Sequence, residues 1–223
     1  MRLRASGPRI IRQEILDQQT AEAGKGSLSD LIRINQLFGG HALLLRTLGQ
    51  LFRRDDRFTM LDIGAASGDM GDVVRKHFPQ SLVTCLDYKL HHLARASPPV
   101  VCGDAFLLPF RPATYDVVHC SLFLHHFTNE QVVELLRGFG CVAARHLVVT
   151  DLERHPLAYY FLPATRWIFG WDAVTLHDGP ISVEAAFKAS ELEALARQAG
   201  LSDATVRAHH PSFRLSLVAS ALG

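Results

Sequence analysis

The stretch that decides the fold is MLDIGAASGD, which runs from Met60 to Asp69. An apolar run typical of a buried strand ends in Asp62, a loop then supplies Gly64 and Gly68, and a helix is expected to follow. Glycines let the backbone approach a ligand closely, and the free N–H groups at a helix N-terminus attract a carboxylate or phosphate. The stretch therefore predicts a strand–loop–helix unit that binds a ligand.

The loop differs from two common nucleotide-binding patterns. In GAASGD, Ala66 stands where the dinucleotide fingerprint G-x-G-x-x-G has its second glycine, and Asp69 stands at the third. A Walker A loop is excluded because no Gly-Lys-Ser or Gly-Lys-Thr follows. Neither pattern explains the glycines of this loop.

Outward from this stretch, short β-rich runs alternate with helical patterns, which is typical of a parallel α/β sheet. Strands are predicted at Phe58–Ile63, Leu82–Asp87, Val100–Cys102, Tyr115–Ser121 and His146–Asp151, and two strand-like runs that could pair close the chain at Leu201–Arg207 and Phe213–Ala221. Helices are predicted at Asp69–Phe78, at Asn129–Arg137 behind a capping box of Thr128 and Gln131, and ahead of Gly200 behind a capping box of Ser190 and Glu193.

Two parts of the chain lie outside this alternation. Residues 1–57 are expected to form a helical cap, with two helices in Ser27–Arg53 separated at Gly39-Gly40. Residues 152–186 lack a clean pattern and are rich in aromatic side chains, so they are expected to form an irregular lid or substrate-binding insert. The remaining chain, 58–223, is expected to be the ligand-binding domain.

The D-x-G-x-x-x-G pattern resembles motif I of the class I S-adenosylmethionine-dependent methyltransferases, which usually have a glycine at the position of Ala66. Three further elements follow in the family's order: a strand that ends in Asp87, then CGDA from Cys102, and then the fourth strand with SLFLHHF from Ser121. The resemblance covers Thr59–Asp151. It implies a doubly wound, mostly parallel seven-stranded sheet of the Rossmann-like α/β class.

The resemblance also implies S-adenosylmethionine as the cofactor. Asp87 would accept hydrogen bonds from both ribose hydroxyls, and Asp104 would meet the adenine amino group. Asp62 would contact the cofactor or organise the loop through backbone amides. The cofactor-binding residues implied in this way are Asp62, Gly64, Ala65, Gly68, Asp87, Tyr88, Asp104, Ala105 and Ser121.

Within the family, the chain looks most like the enzymes that methylate small molecules of natural-product or quinone pathways. CSLF follows the fourth strand from Cys120, whereas enzymes that methylate nucleic-acid amines have Asp/Asn-Pro-Pro-aromatic there. We expect a hydrophobic, aromatic or polyketide-like acceptor, with O-methylation favoured over C-methylation. The alternative is a non-catalytic methyltransferase-like module that acts through a partner, for which Ala66 is the one hint.

Three of the twelve histidines are candidate catalytic residues. His125 and His126 follow the fourth strand, where an imidazole could take a proton from the acceptor, although capping the helix or packing beside the cofactor explains them equally well. His177 opens HDGP, which reads first as a turn and supplies a base only if it folds over the site. His119 is expected to be a hydrogen-bonded core residue. Because the histidines lack metal-ligand spacing, no catalytic metal is predicted.

The composition argues against a disordered, nucleic-acid-binding, membrane-spanning or secreted protein. Hydrophobic residues make up 48% and charged residues 20% of the 223 residues, a globular balance. The net charge of +1 gives no reason to expect nucleic-acid binding. No apolar run approaches the roughly 20 residues that span a bilayer, no secretory signal is seen, and the four cysteines are widely spaced. We therefore expect a cytoplasmic protein, either a monomer or a homodimer, with no membrane span.

Overall fold

The computed structural model describes residues 5–16 and 25–222, and a seven-stranded sheet forms its centre. The strands are β1 (Thr59–Ile63), β2 (Leu82–Asp87), β3 (Val100–Cys102), β4 (Tyr115–Ser121), β5 (Ala143–Leu152), β6 (Thr205–His209) and β7 (Arg214–Ser220). Their order across the sheet is β3-β2-β1-β4-β5-β7-β6. The first five strands pair in parallel, and β7 runs antiparallel to both of its neighbours. The predicted seven-stranded, mostly parallel sheet is confirmed.

The helices are α1 (Lys25–Leu37), α2 (Gly40–Gly49), α3 (Asp69–His77), α4 (Asn129–Val142), α5 (Pro156–Phe169), α6 (Ala173–Ala185) and α7 (Ala189–Gln198). Side chains of α2 and α3 pack with one face of the sheet, and those of α4 and α7 pack with the other. Strand β1 shows why, because its successive side chains alternate between the two clusters. Met60 belongs to the first, whereas Leu61 and Ile63 belong to the second. The sheet is therefore doubly wound, as predicted.

The predicted start of α4 and the predicted break between α1 and α2 are confirmed, whereas the predicted start of α7 is wrong. The capping box of Thr128 and Gln131 begins α4, and Gly39 (φ +79°) separates α1 from α2. Helix α7 begins at Ala189, so the predicted capping box at Ser190 is wrong. The side chain of Glu191 instead accepts the N–H of Lys188 at 2.9 Å. The hairpin after this helix pairs as predicted, but its first strand begins at Thr205 rather than at Leu201.

The expectation of an irregular insert is wrong, because most of residues 152–186 are helical in α5 and α6. Pro163 lies inside α5 and Pro180 inside α6, so two residues that normally end helices are accommodated here. The HDGP sequence is accordingly part of α6 rather than a turn. The side chains of Asp172 and Asp178 contribute the local stabilisation: Asp172 caps α6 through the N–H of Val174, and Asp178 accepts N–H groups from the N-terminal segment.

That N-terminal segment, residues 5–16, is called the strap here. It crosses α6 and the loop after β4. Ile10 N–H donates to the carbonyl of Glu184 at 3.0 Å, and the Arg9 guanidinium donates to the carbonyls of Ala185, His125 and Phe127. The same guanidinium lies 3.8 Å from the centre of the Phe187 ring. The strap is therefore anchored to the loop after β4 and to α6, which lie more than 100 residues further along the chain. Among the described residues, no helix is long and apolar enough to cross a membrane.

Candidate active site

A cavity of about 770 Å³ opens at the carboxyl ends of the parallel strands. Open α/β sheets bind their ligands at this edge. The glycine loop and the ends of β2 and β4 form one part of its lining, and the loop before β7 forms another. Helices α1, α5 and α6 and the strap contribute the remaining walls. The sequence-predicted cap and insert thus reach the site, although the boundaries drawn for them stay predictions.

The glycine loop has a backbone that most side chains would strain. Gly64 and Gly68 have φ values of +66° and +76°, and a Cβ on Gly64 would lie 2.5 Å from the Phe123 ring. Ala66 also has a positive φ of +46°, which explains why glycine is usual at this position in the family that the sequence resembles. Its N–H donates to Oδ2 of Asp87 at 3.0 Å. The loop is thereby tied to the end of β2.

Asp87 and Asp104 both line the cavity, as does the Tyr88 backbone region beside them. Asp87 is buried and accepts the N–H of Lys89 at 2.9 Å as well as that of Ala66. Burial opposes ionisation, but His92 and these N–H donors outweigh it and lower the pKa of Asp87. Asp104 accepts the N–H of Phe106 at 2.9 Å and so also shapes its turn. The side chain of Tyr88 is largely exposed to solvent.

Asp62 lines the cavity and also binds a buried histidine, while its predicted contact with the cofactor stays a prediction. Its Oδ1 lies 2.7 Å from Nδ1 of His119, and the other ring nitrogen lies 3.3 Å from Oγ1 of Thr150. His119 is fully buried, so its predicted core role is confirmed, but Asp62 holds this histidine rather than loop amides. Asp62 Oδ2 and Ser121 Oγ are buried without a hydrogen-bond partner in the described part of the chain, and both residues line the cavity.

His125 lies between two carboxylates. Its Nδ1 is 2.6 Å from Oδ1 of Asp151, at the end of β5, and its Nε2 is 3.6 Å from Oε1 of Glu14, on the strap. Burial favours neutral imidazole, but Asp151 and Glu14 outweigh it and raise the pKa of His125 to about 10. Burial likewise opposes ionisation of Glu14, yet its contacts with His125, His126 and Ser182 lower its pKa to about 2. At neutral pH the site therefore holds an imidazolium between two carboxylates.

His126 lies beside this pair, with its Nδ1 3.9 Å from Oε1 of Glu14. Ser182 on α6 donates to the same carboxylate oxygen. One ligand atom from each of Glu14, His125 and His126 lies within 4.8 Å of the others, a spacing that could hold a metal ion. The sequence-based expectation that no metal takes part in catalysis thus stays a prediction.

His177 does not join the other candidate histidines. Its side chain is half exposed on α6 and contributes nothing to the cavity lining, whereas its neighbour Asp178 does. Asp178 accepts the N–H of Ile15 and of Leu16, at 3.0 and 2.9 Å, in addition to contacting His177 Nδ1. The geometry therefore places His177 on the solvent side of α6, because the predicted turn is a helix whose inward face carries Asp178.

Sequence reasoning missed Glu14, because nothing in its local sequence distinguishes it from a surface acid. It also missed the pairing of Asp151 with His125. A signal for Asp151 was present, since an acid that ends a buried apolar strand in a parallel sheet is directed to the ligand edge. Eight residues of the predicted cofactor set line the cavity, whereas Gly68 shapes the loop behind it: Asp62, Gly64, Ala65, Asp87, Tyr88, Asp104, Ala105 and Ser121.

Comparison with known proteins points to one family. Residues 60–145 match a family model described as a methyltransferase domain. The chain is 28% identical to demethylmenaquinone methyltransferase of Roseiflexus sp. (strain RS-1), over 66% of this chain and 69% of that protein.

Two solved structures have the same fold. A protein of Nostoc punctiforme PCC 73102, described as a candidate O-methyltransferase, superposes with a TM-score of 0.57 at 22% identity, over 78% of this chain. The chain spans only about half of that protein, 55% of its length. The plantazolicin methyltransferase BpumL, solved with S-adenosylhomocysteine, superposes with a TM-score of 0.65 at 14% identity, over 88% of this chain and 90% of that one. The strand order, the glycine loop and the match of residues 60–145 to a methyltransferase domain together support a class I S-adenosylmethionine-dependent methyltransferase.

Proposed function

We propose that this enzyme transfers a methyl group from S-adenosylmethionine to a hydroxyl group of a small, largely apolar acceptor. One observation carries the proposal: Asp87 and the glycine loop line the same cavity as the charged pair of Glu14 and His125. A cofactor held at the first set of residues would share one cavity with an acceptor held at the second. Methyl transfer needs this arrangement, because the nucleophile and the methyl group must meet in line.

The lining residues fit the cofactor. A side chain on Gly64 would clash with Phe123, so only backbone lies at this part of the cavity. Ser121 Oγ and Asp62 Oδ2 also line the cavity, and neither has a hydrogen-bond partner among the described residues. Asp87 is ionised and keeps lone pairs for ribose hydroxyls beyond those that its two N–H donors use. Asp104 and Ala105 would meet the adenine.

Bound S-adenosylmethionine supplies a methyl group whose bond to a positively charged sulfur breaks with both electrons left on the sulfur. The protein must orient the acceptor, exclude water and remove one proton. His125 is already protonated, so it cannot take the proton; its two ring nitrogens face Asp151 and Glu14, and it holds the Glu14 carboxylate in place. If an acceptor hydroxyl took up the methyl group, its proton would become strongly acidic, and the Glu14 carboxylate, which is ionised in the resting site, would accept it.

The acceptor half of the cavity supports an apolar substrate. Phe38, Phe161 and Phe213 line it, and the rings of Phe38 and Phe161 meet edge to face at 4.7 Å. Such rings suit a planar aromatic or polyketide-like molecule. Because the ionised Glu14 carboxylate can receive the proton that a hydroxyl group loses on methylation, we favour O-methylation over C-methylation of a ring carbon.

Calorimetry with S-adenosylhomocysteine tests the cofactor half of the proposal. We expect the wild type to bind it and Asp87→Ala to lose at least about tenfold in affinity, because the ribose loses a charged acceptor. Asp72→Ala is the matched control, since that acid lies on the exposed side of α3 and pairs with Arg75. Undiminished binding by Asp87→Ala would contradict the assigned cofactor position.

The acceptor half is tested by transfer of labelled methyl from S-adenosylmethionine to a panel of aromatic polyketide phenols, each paired with its own O-methyl ether. We expect label in the phenols and none in the ethers. Labelling of both members of a pair would instead indicate C-methylation. Failure to label any product, in the panel or in a cell extract, would favour the non-catalytic module.

A further inference from the structure

Arg214 is the first residue of β7, and its side chain is 1% exposed although it lines the cavity. Its Nε donates to the carbonyl of Phe38 at 3.3 Å, and its Nη2 donates to Oδ1 of Asn35 at 3.1 Å. Its Nη1 is buried and has no hydrogen-bond partner among the described residues. The same part of the chain offers no carboxylate within salt-bridge distance of this guanidinium. Arg214 is therefore a buried cation with an unused donor at the wall of the site.

Arg154, another buried arginine of the protein, shows what is missing at Arg214. Arg154 is 3% exposed, and two of its nitrogens bind both carboxylate oxygens of Glu191, at 2.8 and 2.6 Å. Its remaining hydrogen bonds go to the carbonyls of Gly7 and Ala186. Proteins pair buried charges in this way because an isolated charge in a dry interior is costly. The fold thus completes one buried guanidinium with a carboxylate and leaves the other incomplete at the cavity.

The charges around Arg214 do not fully compensate for the burial of its guanidinium. Burial lowers the pKa of Arg214 to about 10, and the more distant charges of Asp151 and Asp69 only partly offset it. A carboxylate placed on the open side of the guanidinium would satisfy the free donor and restore the charge balance. No carboxylate among the described residues lies within reach of this guanidinium, and the cavity that Arg214 lines has room for a ligand that carries one.

We propose that Arg214 is the binding site for a carboxylate of a ligand in the cavity. The inference rests on the proposed function, because two ligands of that reaction could carry the group: the methionine end of the cofactor, or the acceptor. The position of Arg214 is compatible with both. Asn35 links Arg214 to Asp69, which follows the glycine loop, through a bond of 3.1 Å, whereas β7 itself lies beside β5 on the acceptor side of the sheet.

The cofactor source is tested by calorimetry with S-adenosylhomocysteine and with 5′-methylthioadenosine, which lacks the amino acid end. Arg214→Gln removes the charge, Arg214→Lys retains it, and Arg207→Gln is the control on the exposed face of the neighbouring β6. If the cofactor supplies the carboxylate, Arg214→Gln weakens S-adenosylhomocysteine binding at least about tenfold and leaves methylthioadenosine binding unchanged. Arg214→Lys, which keeps the charge, loses less S-adenosylhomocysteine affinity than Arg214→Gln. Unchanged methylthioadenosine binding also shows that the variant is folded.

The acceptor source is tested in the complex with S-adenosylhomocysteine, using salicylate and salicylamide as probes that differ in the carboxylate. If the acceptor supplies it, the wild type and Arg214→Lys prefer salicylate and Arg214→Gln loses that preference, with cofactor affinity unchanged. The carboxylate site is refuted if Arg214→Gln changes neither the ratio of S-adenosylhomocysteine to methylthioadenosine affinity nor the ratio of salicylate to salicylamide affinity. Should the glutamine variant not fold, Arg214→Met, which also removes the charge, gives the same decision. If the wild type binds neither adenosine compound, the proposed function itself fails.

Discussion

Replacing Gly64 by alanine should expose how closely the protein is packed around its glycine loop. Gly64 has a φ of +66°, so any side chain there is held in the left-handed region, at a cost of about 1–2 kcal/mol. The new Cβ would also lie 2.5 Å from one carbon of the Phe123 ring and 3.0 Å from another. Phe123 cannot yield easily, because it packs against Phe127 at 4.9 Å between ring centres. Overpacking of this kind costs about 1–3 kcal/mol more.

Gly170→Ala is the matched control. Gly170 has nearly the same φ, +60°, but nothing lies within 4 Å of its would-be Cβ, so only the backbone strain remains. We expect urea unfolding to show a loss of about 2–5 kcal/mol for Gly64→Ala and about 1–2 kcal/mol for Gly170→Ala. Gly64→Ala should also weaken S-adenosylhomocysteine binding, since Phe123 is displaced into the cavity, whereas the control should not. Equal losses for the two variants would refute the clash with Phe123.

Two further predictions concern the charged pair. Glu14→Gln should lower the methyl-transfer rate by about 10²–10⁴-fold, as expected for loss of a proton acceptor, while S-adenosylhomocysteine affinity stays unchanged; a rate within a few fold of the wild type would remove Glu14 from the chemistry. The second prediction concerns pH. The folded pKa of His125, about 10, lies above its ordinary 6.5, so its charge contributes stability that is complete below pH 6.5 and is lost as pH rises through 10. Urea unfolding of the wild type should therefore show a free energy that falls across this range, whereas His125→Gln should lack that slope; identical slopes would contradict the buried imidazolium.

The parallel sheet could be predicted from the sequence because each of its strands has a recognisable local pattern of residues. A strand buried on both faces is a continuous apolar run, and each run ends where a polar residue meets the ligand edge, as at Asp62 and Asp87. The positive φ angles of the glycine loop between them can be predicted from its glycines alone. These features need no knowledge of what packs against them.

The helical insert and the acceptor site could not be predicted in this way, because tertiary contacts determine them. Pro180 and Gly179 favour a turn, yet α6 continues through them while Asp178 binds the strap N–H groups of Ile15 and Leu16. Glu14 becomes functional only when the strap brings it to His125. Arg214 likewise occupies an ordinary position in the alternating pattern of its strand, so the sequence does not distinguish it. Its significance arises because no carboxylate of the described residues lies within salt-bridge distance of its buried guanidinium.

The strap also bears on the order in which the molecule assembles. Arg9 binds the carbonyls of His125 and Ala185, 116 and 176 residues further along the chain. The strap is synthesised well before these partners, so the contacts can form only after long loops of the chain have closed. We expect the nucleotide-binding half of the sheet to form before the wall that carries Glu14. A nascent or partly refolded chain would then bind the adenosine portion of the cofactor before it could react with an acceptor.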